Sequence, residues 1–365
     1  MADLQLDNME YSSDALAQAA YVGAGADAYE KVYDSGELAA ATTSLTISSL
    51  DGDVDKEYKI ILRIVNGYNG ASSYLVRINN DSTSIYGKQY LYCGGAAGTD
   101  IGAGRQVNDS FNIGDAEALS QLSMCEFIIS GKTGYVRTAI QKSTTSISGT
   151  TPKYVTLAGH SYNETSTNIT SLVILASQTN GLGIGSRIIL LKRATSVKYC
   201  WQEIYNTTLG AATTSVTISG LTGNSDVLYR LTARVVNGYN GAAGFHLRLN
   251  NDTGTNYGYQ YLNASDTSIS AAKGTATSLA YALGYSNALS RLTLSTILLF
   301  AKSGYVRTAI VKSTYDIVTT TVSTMQMRGW SWNNTADEIT SLVILADQTD
   351  GLGIGTEIIL ERLIL

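Results

Sequence analysis

Residues 61–70 read ILRIVNGYNG and residues 232–241 read TARVVNGYNG, an offset of 171. At the same offset Arg77-Ile78-Asn79-Asn80-Asp81 matches Arg248-Leu249-Asn250-Asn251-Asp252, and Gln89-Tyr90-Leu91 matches Gln260-Tyr261-Leu262. Further along the offset becomes 170. There GYVRTAIQKST (134–144) matches GYVRTAIVKST (304–314), and ITSLVILASQTNGLGIGSRIIL (169–190) matches ITSLVILADQTDGLGIGTEIIL (339–360). A repeat this long lies far beyond the roughly 20–50 residues of a solenoid unit, so each copy should hold its own core. The chain therefore divides into an N-terminal arm (1–30), a first copy (31–193), a short join (194–202) and a second copy (203–365). The join has no Pro/Ser-rich stretch, so the copies should touch.

Each copy reads as strands. Nine runs of the first copy are rich in Val, Ile, Thr and Tyr and alternate at period two: 42–50, 58–65, 73–80, 85–93, 121–130, 135–143, 153–162, 169–176 and 187–193. Asn66-Gly67, Asn69-Gly70 and Asn180-Gly181 separate them as turns, where positive φ is tolerated. The expected fold is all-β: two tandem, jelly-roll-like β-sandwich domains produced by duplication, plus the arm.

Composition narrows the function classes. The 365 residues carry 25 Lys+Arg against 30 Asp+Glu, a formal charge of −5, which argues against tracking nucleic-acid phosphates. No apolar run reaches the ~18 residues of a membrane helix, so no membrane insertion is expected. The opening MADLQLDNMEYSS has acids where a signal peptide is basic, so synthesis in the cytoplasm without such a signal is expected.

The duplication also filters candidate sites. His160 corresponds to Trp330 and His246 to Val76, and neither histidine has ligand-type neighbours, so no metal site is expected. Cys93, Cys125 and Cys200 form no CxxC and no paired framework, which suits free thiols. GLGIG at 181–185 and 351–355 precedes a strand with no following lysine, and so reads as a turn and not a phosphate cradle. Asp55/Asp226 and Asp81/Asp252 recur, but at positions ordinary for turn-forming aspartate. The calcium-like loop Asp51–Asp55 has lost most of its charge in the second copy. The cations shared by both copies, Arg63/Arg234, Arg77/Arg248, Arg137/Arg307 and Lys142/Lys312, alternate with apolar residues and should form the polar outer face of a sheet. No constellation supplies nucleophile, base and orienter, so neither catalytic residues nor a cofactor are expected, and the chain is expected not to be an enzyme.

The 24 tyrosines are the best contact candidates, since the ring buries area while the hydroxyl stays wet. Tyr68/Tyr239, Tyr86/Tyr257 and Tyr90/Tyr261 recur near turns, where the simple role is to pin hairpin corners. Copy-specific Tyr162, Trp330 and Trp332, with Tyr68 and Tyr239, are the candidate contacts for a partner or a glycan. In the arm, Leu6, Met9, Tyr11, Leu16 and Tyr21 are the candidate assembly residues.

The opening LDNMEYSSDALAQAAYV (6–22) resembles the leader of tail- or capsid-associated bacteriophage and prophage structural proteins. The closing ITSLVILASQTNGLGIGSRIILLKR (169–193) resembles the final hairpin of small jelly-roll modules in such proteins; the second copy departs from it at Thr356-Glu357. The resemblance implies a virion structural protein, a capsid decoration, fibre or tail component, that self-associates and meets other virion proteins through its arm and sheet surfaces. The alternatives are a β-sandwich binding carbohydrate or a receptor such as a host-surface glycan, and a cellular filament subunit assembling by strand addition.

Overall fold

The computed structural model describes residues 29–95, 97–193, 200–265, 268–318 and 321–364. The first copy runs β1 (Tyr29–Asp34), β2 (Ser44–Ser48), β3 (Glu57–Val65), β4 (Ser72–Ile78), β5 (Tyr86–Gly94), β6 (Asp100–Asn108), β7 (Phe111–Ala116), β8 (Leu122–Ser130), β9 (Arg137–Ile147), β10 (Tyr154–Tyr162), β11 (Ser171–Ala176) and β12 (Arg187–Arg193). The second repeats it as β13 (Trp201–Thr208), β14 (Ser215–Ser219), β15 (Leu228–Val236), β16 (Ala243–Leu249), β17 (Tyr257–Ser265), β18 (Ser268–Ala276), β19 (Tyr285–Ser286), β20 (Leu292–Phe300), β21 (Arg307–Val318), β22 (Thr321–Trp332), β23 (Ser341–Ala346) and β24 (Glu357–Leu363). Each copy is a sandwich of an eight-stranded and a four-stranded antiparallel sheet, ordered β1-β12-β3-β8-β9-β10-β5-β6 and β2-β11-β4-β7 in the first. The last strand of each copy slots between its first and third, so the large sheet closes only when its C-terminal strand is in place.

The repeated motifs explain the closure. Asn66 Nδ2 donates to the carbonyls of Gly70 and Ala118, both at 2.8 Å, and Asn237 does the same for Gly241 and Ala288. A Cβ on Gly67 would stand 2.3 Å from the Asn180 carbonyl oxygen, and one on Gly238 equally close to that of Asp350. NGYNG and GLGIG are thus two turns pressed together, bonded by Gly183 N to Val65 O at 2.8 Å. Tyr86 donates from its hydroxyl to Asp81 O and accepts from Ile78 N, and Tyr257 repeats both bonds at the next corner, with Asp252 O and Leu249 N. Aliphatic and aromatic residues of the two facing sheets fill one core per copy, including Ile60, Val76, Phe127 and Leu190 in the first and Leu231, Phe245, Ile297 and Leu360 in the second.

The large sheets also pack on each other. β5 lies over β17, β6 over β18, β10 over β22 and β9 over β21. Ile61, Met124, Ile189 and Leu191 of the first copy meet Leu228, Leu298, Phe300 and Ile310 of the second in a dry cluster. Cys93 Sγ bonds the Tyr261 carbonyl at 3.0 Å, and Arg63 lies 4.3 Å from the Tyr305 ring centroid. A Cβ on Gly258 would sit 1.6 Å from the Thr150 carbonyl oxygen.

This packing corrects the expectation for Arg63, Arg137/Arg307 and Lys142/Lys312, whereas Arg77 and Arg234 do lie on outer faces. Arg63 is buried against the other domain. Arg137 and Arg307 are buried at the mouth of each core, donating to the carbonyls of Thr167 and Asn334 beneath the Tyr162 and Trp332 rings. Lys142 and Lys312 face the seam around Glu126. A sheet face that serves as an interface needs its charges paired, not solvated.

Candidate functional site

The four-stranded sheets end at β7 and β19, short of the far edge of the large sheets, which leaves an uncovered inner face in each copy. On the first, Tyr90 and Tyr92 from β5, Ser143 and Thr145 from β9 and Tyr154 from β10 alternate inward and enclose a groove of about 290 Å³. The matching groove of the second copy, also about 290 Å³, is lined by Tyr259, Tyr261, Tyr281, Tyr285, Tyr315 and Arg328, among others. Tyr90 and Tyr261 are duplicates.

The two floors differ. In the first, Lys88 Nζ donates to the backbone and side-chain oxygens of Asn112 at 3.2 and 3.3 Å, and burial pushes its pKa down. In the second, Arg328 is buried beneath aromatic rings, with its guanidinium carbon 4.8 Å from the Tyr261 centroid and 5.8 Å from that of Tyr281. Its Nη1 donates to Ala280 O at 2.8 Å and its Nε to Gln326 Oε1. Burial lowers its pKa to about 10, so it stays cationic at neutral pH. Among the described residues no carboxylate makes an ion pair with Arg328. The second groove is thus a tyrosine-walled cleft with a cationic floor.

The remaining sequence candidates fall elsewhere. Tyr162, Trp330 and Trp332 were expected to be contacts, but they are 2%, 1% and 1% exposed. Tyr162 and Trp332 are counterparts, and each spends its polar atom on a shared aspartate: the Tyr162 hydroxyl donates to Asp81 at 2.9 Å and Trp332 Nε1 to Asp252 at 2.7 Å. Trp330 fills the place that His160 takes in the first copy, so an indole occupies in one core the space that an imidazole occupies in the other. Tyr68 and Tyr239 are 37% and 38% exposed, each over the glycine of its own turn. Leu6, Met9, Tyr11, Leu16 and Tyr21 lie outside the described residues.

The recurrent carboxylates are engaged internally. Asp55 and Asp226 each accept from a tyrosine hydroxyl, Tyr58 and Tyr229, at 2.6 Å. Asp53 accepts from Thr133 N and Oγ1, and Asp55 pairs with Lys192 at 2.9 Å. Among the described residues no three His, Cys, Asp or Glu side chains gather as a metal site. The three cysteines are free and buried.

No protein-family model matches the chain, and no curated protein matches it. Solved structures resemble it only distantly. The LG1-3 region of the laminin alpha2 chain aligns over 88% of this chain at 9% identity, with a TM-score of 0.22. This chain spans 64% of that region's length. The flagellar hook junction protein FlgK from Burkholderia pseudomallei aligns over 86% of this chain and 42% of its own, at 11% identity and a TM-score of 0.12. PNGase F, a glycosylasparaginase from Flavobacterium meningosepticum, aligns over 92% and 95% of the two chains at 9% identity and a TM-score of 0.18.

Proposed function

We propose that the chain is a non-enzymatic structural component of a bacteriophage particle that binds saccharide through its two tyrosine-walled grooves. The observation that carries the binding role is the recurrence of the groove at the same place in both copies, through Tyr90 and Tyr261. A sugar ring presents a flat apolar face edged by hydroxyls, and tyrosine rings beside Ser, Thr, Asn and Gln side chains meet both. The cationic floor at Arg328 suits a carboxylated sugar. The virion setting rests on the resemblance of residues 6–22 and 169–193, with the arm and sheet surfaces as contacts to other copies and other virion proteins. A non-catalytic role is supported by His160, which is wedged between Phe111 and Phe127 and held neutral by burial.

Glycan-array binding followed by calorimetry tests this reading. The intact chain should retain acidic glycans, and Tyr261→Ala should weaken that binding at least tenfold, about 1.4 kcal/mol, with an unchanged melting temperature. Tyr92→Ala should leave acidic glycans bound, because it alters only the first groove. Retention of no glycan by the intact protein sinks the saccharide role. Absence of the chain from purified particles sinks the virion role.

A further inference from the structure

Four large-sheet strands, β5, β6, β9 and β10, lie over their own duplicates β17, β18, β21 and β22, as a two-fold axis running across the strands would place them, and β9 also reaches β22. The axis passes near Leu91, Lys142 and Leu157 of the first copy and Leu262, Lys312 and Met327 of the second, which all line one cavity. Contacts on one side of this row should therefore recur on the other. They do not. Gly329 is pressed on Thr144, with 1.9 Å from its Cβ position to Oγ1, and Gly185 is pressed on Tyr305. Their counterparts are open: Gly159 has nothing within 4 Å, and Gly355 meets only Val236 at 3.9 Å. The seam is a wedge, shut on one flank and open on the other.

The open flank carries the same kind of apolar surface that the shut flank buries. Leu294 and Met325 are 47% and 62% exposed, whereas their duplicates Met124 and Val155 are 0% and 1% exposed. The flank forms a cavity of about 480 Å³ whose walls also include Ile269 and Leu157. A concentrated apolar patch of this kind marks a binding surface.

The floor is one carboxylate short. On β8 and β9, Glu126 stands opposite Lys142 and accepts from its Nζ at 2.9 Å. On β20 and β21 the residue opposite Lys312 is Thr296, not an acid. Lys312 instead reaches across the seam to Glu126 at 3.8 Å, sharing it with Lys59 at 3.5 Å. Three ammonium groups around one carboxylate leave two positive charges in a half-buried place, a standing invitation to an anion. Burial and the neighbouring Lys142 lower the Lys312 pKa to about 8, against the opposing pull of Glu126.

We propose that the open flank of the seam binds a long-chain aliphatic carboxylate, a fatty-acid anion, with its head between Thr296 and Lys312. The carboxylate takes the place of the missing duplicate of Glu126, and the chain lies along Leu294, Met325 and Ile269. This site is on the opposite face of the large sheets from the tyrosine grooves and does not depend on their function.

Calorimetric titration of the full chain with dodecanoate, below its micelle concentration, tests the proposal. One equivalent should bind. Dodecanol should bind at least tenfold more weakly, and dodecyltrimethylammonium should not bind. Lys312→Gln should weaken dodecanoate at least tenfold. Thr296→Glu should abolish its binding while preserving or raising the melting temperature, because it supplies the missing carboxylate within the fold; a collapse of folding is thereby separated from a loss of site. The proposal is overturned by no binding of dodecanoate, by equal binding of dodecanol, or by unchanged affinity in Thr296→Glu. It is also overturned if the ligand-free chain sediments as a dimer that Met325→Asp dissociates, since a second copy would then occupy the flank.

Discussion

Replacing Glu126 with Gln should cost about 3–5 kcal/mol of stability, lowering the melting temperature by roughly 6–15 °C. Glu126 is 13% exposed in its side chain and touches Lys59, Lys142 and Lys312. Burial alone would raise its pKa, but the three lysines outweigh burial and hold it down to about 2. Gln keeps the shape and removes the charge, so three ammonium groups would face one another across the domain seam with nothing between them. The carboxylate's folded pKa lies below its unfolded value near 4.5. Its contribution is therefore complete above about pH 4.5 and is lost as pH falls toward 2. The Glu126→Gln penalty should accordingly be full at pH 7 and shrink at pH 3. Transferring the acid, as Glu126→Thr with Thr296→Glu, should recover part of the loss because Lys312 stands opposite position 296 and Lys142 lines the same cavity. Denaturant unfolding of wild type and the two variants at pH 7 checks this, and wild-type stability in Glu126→Gln would show that the cluster holds nothing together.

Acid should also act through His160, with the opposite kind of group and the same direction of effect. Its ring is 5% exposed, its Nε2 lies 2.8 Å from Gln141 Oε1, and the Phe111 and Phe127 rings pack on it edge-on. Burial, with help from Lys88, lowers its pKa from 6.5 to about 3. The unfolded chain takes up a proton below pH 6.5 while the folded chain does not. Stability should thus fall by about 1.4 kcal/mol per pH unit until the ring protonates near pH 3. His160→Gln removes this term. Unfolding free energies of wild type and variant, taken at pH 7, 6, 5 and 4, should have a roughly constant difference down to pH 6.5 and then drift apart in the variant's favour. Parallel curves over the whole range would falsify the assignment of a neutral buried imidazole.

The fold was legible because the duplication made strand and turn signals appear twice. NGYNG and GLGIG were readable as turns, and all nine strand runs of the first copy correspond to strands. Three further strands per copy were hidden, for different reasons. β6 reads DIGAGRQVN, a polar, glycine-rich edge strand with one exposed face after another, so it lacks alternation. β7 is held by its pairing with β4 and not by its own propensity, and β1 lies partly within the stretch assigned to the arm. The candidate site was less legible. A groove depends on where a second sheet stops, which a strand pattern does not encode. Copy-specific aromatics looked like contacts because only one sequence position changes in view, whereas the core had changed as a group: His160 with Trp330, Tyr162 with Trp332. The Tyr90/Tyr261 duplication, which the sequence reading gives to hairpin corners, is the one signal that could have marked the grooves.

The closing strands of the two copies are close to interchangeable, RIILLKR in β12 and EIILERL in β24. Each must thread between the first and third strands of its own sandwich, beside an equally receptive slot a short distance away. Their charges work as addresses. Arg187 belongs beside Asp34, bonded at 2.7 Å, whereas its duplicate Glu357 pairs with Arg234 at 3.7 Å, and Glu361 pairs with Arg230 at 2.5 Å. Exchanged, Glu357 would meet Asp34, its own sign, where like charges oppose strand pairing, and Arg187 would stand opposite Arg234 without the Asp34 carboxylate that offsets its native place opposite Arg63. Repeats this similar are prone to swapping strands during folding. The sign changes on β24 therefore act while the chain is still choosing partners, as sorting marks that keep two nearly identical halves from finishing each other.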